Sequence, residues 1–368
     1  MKTRFIESEA TGGVVLMLAA AIALAVANSP LAASYHALCQ SVGAIIDDGL
    51  MAIFFLLVGL EIKRELLRGE LAGARKAALP ALAALGGMVV PAAIYAARTA
   101  GTPFIRGWGI PMATDIAFTV GVLALLGRRA APSLTVFLTA LAIVDDLGAV
   151  VIIAIFYAGG VQLGWLAAAA LVVAALVALN RFGVRHLAAY LAGGALLWYA
   201  VFQSGVHATI AGVLLGMTIP ADATDDAGSP LERLEHTLER PVAFGVLPLF
   251  ALANAGVTIP WHSLGTALGH PITVGVFLGL LAGKTIGVFG AATLARRFGL
   301  GELPGGASTR QMLGGATLAG IGFTMSIFIA TLAFRDRALL DYAKIGIVAG
   351  SITSGLAGAA ILLARRPT

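Results

Sequence analysis

The sequence predicts an all-α polytopic membrane protein of twelve transmembrane helices, with inverted-topology repeats and two discontinuous helices. Three observations carry the prediction. Hydrophobic residues fill 59% of the 368 positions and charged ones only 12%, against about 25% charged in ordinary globular chains, and the mean hydropathy is +0.94. Apolar runs close to the roughly 20 residues that cross a bilayer follow one another along the whole chain. The lysines and arginines between those runs divide 18 against 4 between the two sides, with Lys284 and Lys344 inside spans. An even number of spans with both termini cytoplasmic gives that bias. A soluble multidomain enzyme does not fit this composition. The single cysteine, Cys39, cannot form an internal disulfide or a thiolate metal pair, and reads as a small apolar filler.

Taken in order, the predicted spans are 11–30, 43–66, 77–98, 107–126, 132–157, 163–180, 186–201, 204–219, 241–258, 272–295, 311–334 and 341–363. Lys2 and Arg4 ahead of the first run resemble the start of a signal peptide. Glu7 and Glu9 are unusual in that position, so the run reads as a retained first span. The seventh and eighth spans are short, separated by Gln203 and Ser204, and the ninth can start earlier, in the amphipathic stretch 231–240. The one sizeable hydrophilic interruption is 221–241, on the cytoplasmic side. No linker divides the chain, which reads as a single transmembrane unit over 1–368.

A short echo links two of the spans. Ile116-Ala117-Phe118-Thr119 in the fourth matches Ile321-Gly322-Phe323-Thr324 in the eleventh, each in the middle of a three-span group, 77–157 and 272–363. From the fourth span to the eleventh is seven steps, an odd number, so the two groups have opposite topology, as inverted repeats require. Both spans carry signals for a break. Pro111 disfavours helix just before it and is followed by Thr114 and Asp115; Gly314, Gly315, Gly320 and Gly322 cluster in the eleventh, with a break expected at Gly320–Gly322. Half-helix ends at mid-membrane expose partial charges of about half an electron. Asp115 is suited to the positive ends, and Lys284, deep in the tenth span, to the negative ones.

The organising stretch is Leu138–Phe156, apolar except for Asp145 and Asp146. A charge at the bilayer centre costs roughly 2.5–3.5 kcal/mol on insertion scales, and two adjacent like charges repel each other. Asp115, Asp145, Asp146 and Lys284 sum to −2 when ionised, which hydrocarbon tolerates only if water, protons or metal cations enter. Carboxylate, carbonyl and hydroxyl oxygens are hard ligands, and no HExxH or Cys/His cluster is present to bind zinc. The chemistry left is an alkali cation and a proton competing for the same oxygens, with Lys284 as a partner for Asp145.

The stretches DDGLMAIFFLLVGLEIKREL (47–66), PMATDIAFTVGVLALLG (111–127), LAIVDDLGAVVIIAIFY (141–157), SGVHATIAGVLLG (204–216), LPLFALANAGV (247–257) and GIGFTMSIFIA (320–330) resemble the bacterial NhaA-type sodium/proton antiporters nearly end to end. The resemblance implies an electrogenic, pH-regulated Na⁺(Li⁺)/H⁺ antiporter of the bacterial inner membrane, working by alternating access. It implies no cofactor beyond the transported ions and no nucleic-acid partner. The moving core bundle would come from 77–157 and 272–363, and the interface bundle from 11–66 and 163–258. Asp146 would be the principal Na⁺/Li⁺ ligand and proton carrier, with Asp145 beside it, paired to Lys284 when the site is empty. Thr114 and Asp115 would sit where the fourth helix unwinds and crosses the eleventh. Glu61, Lys63, Glu65, Glu235 and His236 match the family's pH-response cluster, His207 a residue linked to pH dependence, and Asp48 a carboxylate of the periplasmic funnel. Two features depart from the family. The 28–47 connection is short and lacks the hairpin-like insert that pairs protomers, which weakens the expectation of a homodimer. Thr285 follows Lys284 where proline is common.

Two other readings compete. An intramembrane aspartyl protease needs two carboxylates facing each other, whereas adjacent residues on a helix point about 100° apart, and no Gly-x-Gly-Asp stretch occurs. A sodium-coupled solute symporter would use the same architecture and differs in predicting solute-stimulated Na⁺ uptake.

Overall fold

The computed structural model describes residues 2–69, 71–222, 228–259, 264–300 and 307–364, and every regular element among them is helical. In chain order the helices are α1 (Lys2–Ala27), α2 (Ala32–Ala44), α3 (Met51–Arg68), α4 (Ala74–Thr99), α5 (Ile116–Leu126), α6 (Pro132–Phe156), α7 (Leu163–Arg181), α8 (Leu187–Gln203) and α9 (Ile210–Thr218). They continue as α10 (Pro230–Pro241), α11 (Leu247–Asn254), α12 (Leu264–Gly269), α13 (Pro271–Leu278), α14 (Lys284–Arg297), α15 (Thr309–Leu318), α16 (Phe323–Ala333) and α17 (Arg337–Leu363). Wider π-turns join α2 to α3 (Ile45–Leu50), α10 to α11 (Val242–Val246) and α13 to α14 (Gly279–Gly283).

Among the described residues, six helical runs are long and apolar enough to cross a membrane: Ala32–Arg68, Lys76–Thr99, Pro132–Phe156, Leu163–Arg181, Pro271–Arg297 and Arg337–Leu363. Two bent pairs bring the number to 8 if each is one span. These are Pro103–Met112 with α5, bent by 41°, and α15 with α16, bent by 42°. Thr11–Ala27 and Leu187–Gln203 are shorter apolar helices. The predicted spans 204–219 and 241–258 hold α9, of 9 residues, and a helical run interrupted by the π-turn Val242–Val246.

Two local details depart from the sequence reading. The stretch taken as a connection between residues 28 and 47 is largely helical. It holds α2, which runs through a π-turn into α3, because nothing between Ala32 and Asp47 breaks a helix. The first half of the fourth span is a tight 3₁₀ helix, Pro103–Met112, with a proline near each end and glycines at 107 and 109. A 3₁₀ run of 10 residues is long for this geometry, which is commonest in pieces of about three or four.

The chain divides into two compact units. The first comprises Met1–Ala37, Gly73–Ala149 and Ala251–Thr368; the second comprises Leu38–Ala72 and Val150–Phe250. Within the first, helices meet through glycine. A Cβ at Gly287 of α14 would stand 2.1 Å from the Gly86 carbonyl oxygen of α4, and one at Gly86 2.3 Å from the Gly287 carbonyl. Small residues at such crossings let backbones approach closely. Gly283, in the π-turn before Lys284, lies against Pro91, where a Cβ would meet the proline Cα at 2.7 Å. On the other side α1 packs on α5 with Gly13 over the Ala117 carbonyl. Asn28, just past α1, donates to the Val257 carbonyl and accepts from the Ile259 amide, both at 2.8 Å, tying down the chain after α11.

The second unit is built on α3 and α9, where a Cβ at Gly212 would stand 2.2 Å from the Ala52 carbonyl and one at Gly59 2.8 Å from the Val213 carbonyl. Around them Leu56, Leu60, Leu176, Tyr190, Leu197 and Leu215 form a buried apolar core that takes in Leu231 and Leu234 of α10. That helix starts with Pro230 in its first turn and a reciprocal capping box: Glu232 N donates to Ser229 Oγ at 3.2 Å and Ser229 N to Glu232 Oε2 at 2.9 Å.

The mutual approach of Gly86 and Gly287 leaves no room for a methyl group. Gly287→Ala should therefore destabilise the protein by about 1–3 kcal/mol, seen as a lower melting temperature in detergent; an unchanged melting temperature would contradict this packing.

Candidate functional site

Asp145 and Asp146 lie in the middle of α6, 0% and 3% exposed. Lys284, also 0% exposed, is the first residue of α14, directly after the π-turn. Its Nζ meets Asp145 Oδ2 at 2.6 Å, and Asp146 is close enough to feel the same ammonium. Thr114 lies against the Asp145 carboxylate as well. Gly87 of α4 lies beside the lysine stem: a Cβ there would be in ordinary contact with Lys284 Cδ and Nζ, at 3.7 Å, but would meet Val288 Cγ2 of α14 at 2.7 Å. Thr285 donates its hydroxyl to the Leu281 carbonyl at 2.6 Å, back across the π-turn. The departure from helical regularity next to Lys284 is thus present without a proline at 285.

The fourth and eleventh spans break where they meet. Residues 113–115 are extended between the 3₁₀ segment and α5, and 319–322 separate α15 from α16. Asp115 caps both following half-helices. Its Oδ1 accepts from Phe118 N of α5 at 3.0 Å, and its Oδ2 accepts from Thr324 N of α16 at 3.0 Å and from the Thr324 hydroxyl. One carboxylate therefore sits on two helix N-termini, where the helix dipoles favour negative charge. The carbonyl ends are satisfied without a cation. Thr114 Oγ1 donates to Ala319 O at 2.9 Å, Asp115 N to Ile321 O at 2.7 Å, and Ser326 Oγ to Ile110 O at 2.8 Å. Thr119 Oγ1 reaches Leu318 O at 3.4 Å. This departs from the expectation that Lys284 serves these negative ends. Hydroxyls and a backbone amide are short enough to reach them, while the ammonium goes to Asp145.

The residues matched to a pH cluster are only partly together. Arg64 is the centre that the sequence reading passed over: its Nη2 lies 3.3 Å from Glu65 Oε1 and its Nε 2.9 Å from Glu235 Oε1. Glu61 is half-buried on α3, one turn before Glu65. Lys63 points elsewhere. Its ammonium takes the Met217 and Ile219 carbonyls at 2.9 and 2.5 Å, where a cation complements the C-terminus of α9. His236 is exposed and faces Glu239 at 3.1 Å. Glu235 is 4% exposed, and its carboxyl is pushed up to about 7. Burial is the largest cause, Arg64 opposes it and Glu239 adds to it. Glu232, on the same helix, is held below the usual carboxylate range, first by the Ser229 amide and further by Arg68, whose Nη1 is 3.0 Å away. Asp48 and His207 face each other at 3.7 Å, and Trp198 Nε1 donates to the Asp48 carbonyl at 2.9 Å.

Of the residues that sequence reasoning missed, Thr119 and Thr324 had a signal in plain view. They are the last residues of the matched tetrapeptides, and each bonds across to the other broken span. Ser326 and Ser351 had none, since serine is common in membrane helices.

A family model described as Na+/H+ antiporter 1 matches residues 3–362. The chain is 53% identical to Na(+)/H(+) antiporter NhaA 2 of Novosphingobium aromaticivorans, with 98% of this chain and 96% of the relative covered. It is 54% identical to Na(+)/H(+) antiporter NhaA of Mesorhizobium japonicum, covering 98% and 93%, and 55% identical to that of Caulobacter vibrioides, covering 97% and 89%. These relatives are named as transporters, not enzymes. A family match over nearly the whole length, with relatives of this identity and coverage, means that this chain belongs to the Na+/H+ antiporter 1 family.

Proposed function

We propose that this chain exchanges Na⁺ or Li⁺ for protons across the bacterial inner membrane, spanning it twelve times with both termini in the cytoplasm. The observation that carries the reading is the buried pair Asp145–Asp146 with Lys284 on one member, set beside the meeting of two broken helices. A second support is that relatives 53–55% identical over nearly the full length are named Na(+)/H(+) antiporters. Asp146 serves as the main cation ligand and proton carrier. Asp145 shares the task and rests on Lys284 between cations. Cation and proton compete for the same oxygens, so binding one displaces the other. Alternating access then carries the loaded carboxylates from one aqueous face to the other. With two carboxylates titrating, more protons than cations move per cycle, and transport is electrogenic.

pH regulation is assigned to the cluster at the water-facing end of α3 and α10. Glu235, Arg64 and Glu65 form its centre, with Glu61 beside them and His236 at its exposed edge, while Lys63 holds the C-terminal carbonyls of α9. Asp48 and His207 form a second pair. A homodimer without a hairpin insert would have to form through other surfaces.

Asp146→Asn should abolish Na⁺-dependent proton movement in proteoliposomes, followed with a pH-sensitive dye; retained exchange would remove the central assignment. Lys284→Met leaves the Asp145 carboxylate buried beside a thioether and should cost about 3–5 kcal/mol of stability. Adding Asp145→Asn should recover most of that loss in thermal unfolding, and no recovery would mean that the pair is not the source of the cost. Glu235 bears on pH in two ways. Its neutral form suits the buried site, so its contribution to stability is complete below the ordinary 4.5 and declines as pH rises through about 7. Its attraction to Arg64 develops over the same upper range. Glu235→Gln should therefore remove the part of the activity–pH profile centred near 7, and a profile identical to wild type would exclude Glu235 from the response.

A further inference from the structure

One buried hydroxyl next to the eleventh-span break is left without work. Ser351 and Ser354 lie on one face of α17, three residues and about 4.5 Å apart along the axis. Ser351 Oγ accepts the Phe323 amide at 3.2 Å, supplying one cap of α16 beside the Asp115 cap on the next amide. Ser354 is 0% exposed, and its hydroxyl finds no hydrogen-bond partner among the described residues. A serine in a helix can donate to the carbonyl four residues back. The neighbouring Thr353 does so, to Ala349 O at 2.7 Å, whereas Ser354 does not.

What surrounds this hydroxyl is the discontinuity itself. A Cβ at Gly320 would lie 2.6 Å from Ser354 Oγ and 2.4 Å from the Leu280 carbonyl, which belongs to the π-turn before Lys284. The Leu280 side chain, also 0% exposed, fills the space over Gly322 and Gly350. Ser354 thus lies where α17, the Ala319–Gly322 break and the approach to Lys284 converge. A buried donor that makes no bond costs free energy in the arrangement described, and the Gly320 backbone beside it belongs to a break held by turn bonds, Gly320 N to Thr317 O at 3.0 Å and Ile321 N to Leu318 O at 2.9 Å, and not by a continuous helix.

We propose that Ser354 is a positioning residue for ion exchange. Its hydroxyl bonds the backbone of the Ala319–Gly322 break in the access state other than the one described, taking over one turn along α17 from the hold that Ser351 has here. The inference rests on the exchange reading, because it needs a second access state. Alanine at 354 removes a bond made only in that second state and relieves an unsatisfied group in the first.

The test is Ser354→Ala, purified and reconstituted alongside wild type and Ser351→Ala. Ser354→Ala should melt no lower than wild type and keep the same half-saturating Na⁺ concentration, while its maximal exchange rate falls about five-fold, the worth of one hydrogen bond of roughly 1 kcal/mol. Ser351→Ala, which loses a cap present in the described state, should melt lower. A wild-type rate in Ser354→Ala overturns the proposal, and so does a rate that falls together with melting temperature, since that marks a hydroxyl used for structure alone. If wild type itself moves no protons on Na⁺ addition, the exchange reading falls and this inference with it. Wild-type exchange with an unaltered Ser354→Ala overturns the serine assignment alone.

Discussion

An ammonium and a carboxylate, both shut away from the surface, meet at 2.6 Å between Lys284 and Asp145. Everything nearby is arranged so that this contact can exist. In a low-dielectric interior, a buried charge is tolerable only with a partner at close range and with its remaining polar atoms attended to. Gly87 of α4 lets Val288, one turn after Lys284, pack close, since a Cβ there would stand 2.7 Å from Val288 Cγ2. The backbone carrying the lysine must come near α4, which Gly283 against Pro91 and Gly287 against Gly86 permit. The second carboxylate, Asp146, shares the field of the same ammonium. With all three groups ionised, two carboxylates beside one lysine would carry a net negative charge, the feature on which the proposed exchange rests.

The two broken spans handle their exposed backbone by a division of labour. Positive N-terminal ends converge on one carboxylate, Asp115, so a single charge serves two half-helices. Negative carbonyl ends take neutral donors from Thr114, Thr119 and Ser326. This leaves Lys284 uncommitted to backbone and available to Asp145. It also ties the two breaks to each other, so a shift in one changes the hydrogen bonds of the other. Thr114 belongs to both groups, bonding Ala319 and lying against Asp145, and it links the break to the carboxylate pair.

The second unit uses charge differently, at an end where water is near. On α10, Glu232 and Glu235 lie one turn apart yet are driven in opposite directions. An amide and an arginine hold Glu232 ionised, and burial favours the neutral form of Glu235. The helix therefore has a charge-fixed N-terminal anchor and, a turn further on, a group able to change state near neutrality. Arg64, Arg68 and Lys63 of α3 supply the opposing charges, each to a different target.

By itself the sequence determined the helical, membrane-type architecture, the places where two helices break, and the identity of the buried ionisable residues. Each follows from local cost: apolar runs of this length have to be helical to satisfy their backbones, Pro111 with Thr114 and Asp115 and the glycines at 320 and 322 weaken the helix where they cluster, although Pro80 and Pro91 leave α4 continuous, and a charge inside an apolar run needs a partner. Tertiary structure alone decided who meets whom. Lys284 was legible as a paired lysine, but its choice of Asp145 over the carbonyl ends depends on which donors stand nearer to those ends. Lys63 reads in sequence like its neighbours Arg64 and Glu65, yet it turns to the end of α9, because the helical step of about 100° per residue sends consecutive side chains to different neighbours. Residues 28–47 read as a connection because α2 is only 13 residues long and mixes Ser, Tyr, His and Gln with its apolar residues, so on its own it falls short of a span. The roles of Thr324, Ser351 and Ser354 exist only where separate spans come together, so no local pattern in the chain could announce them.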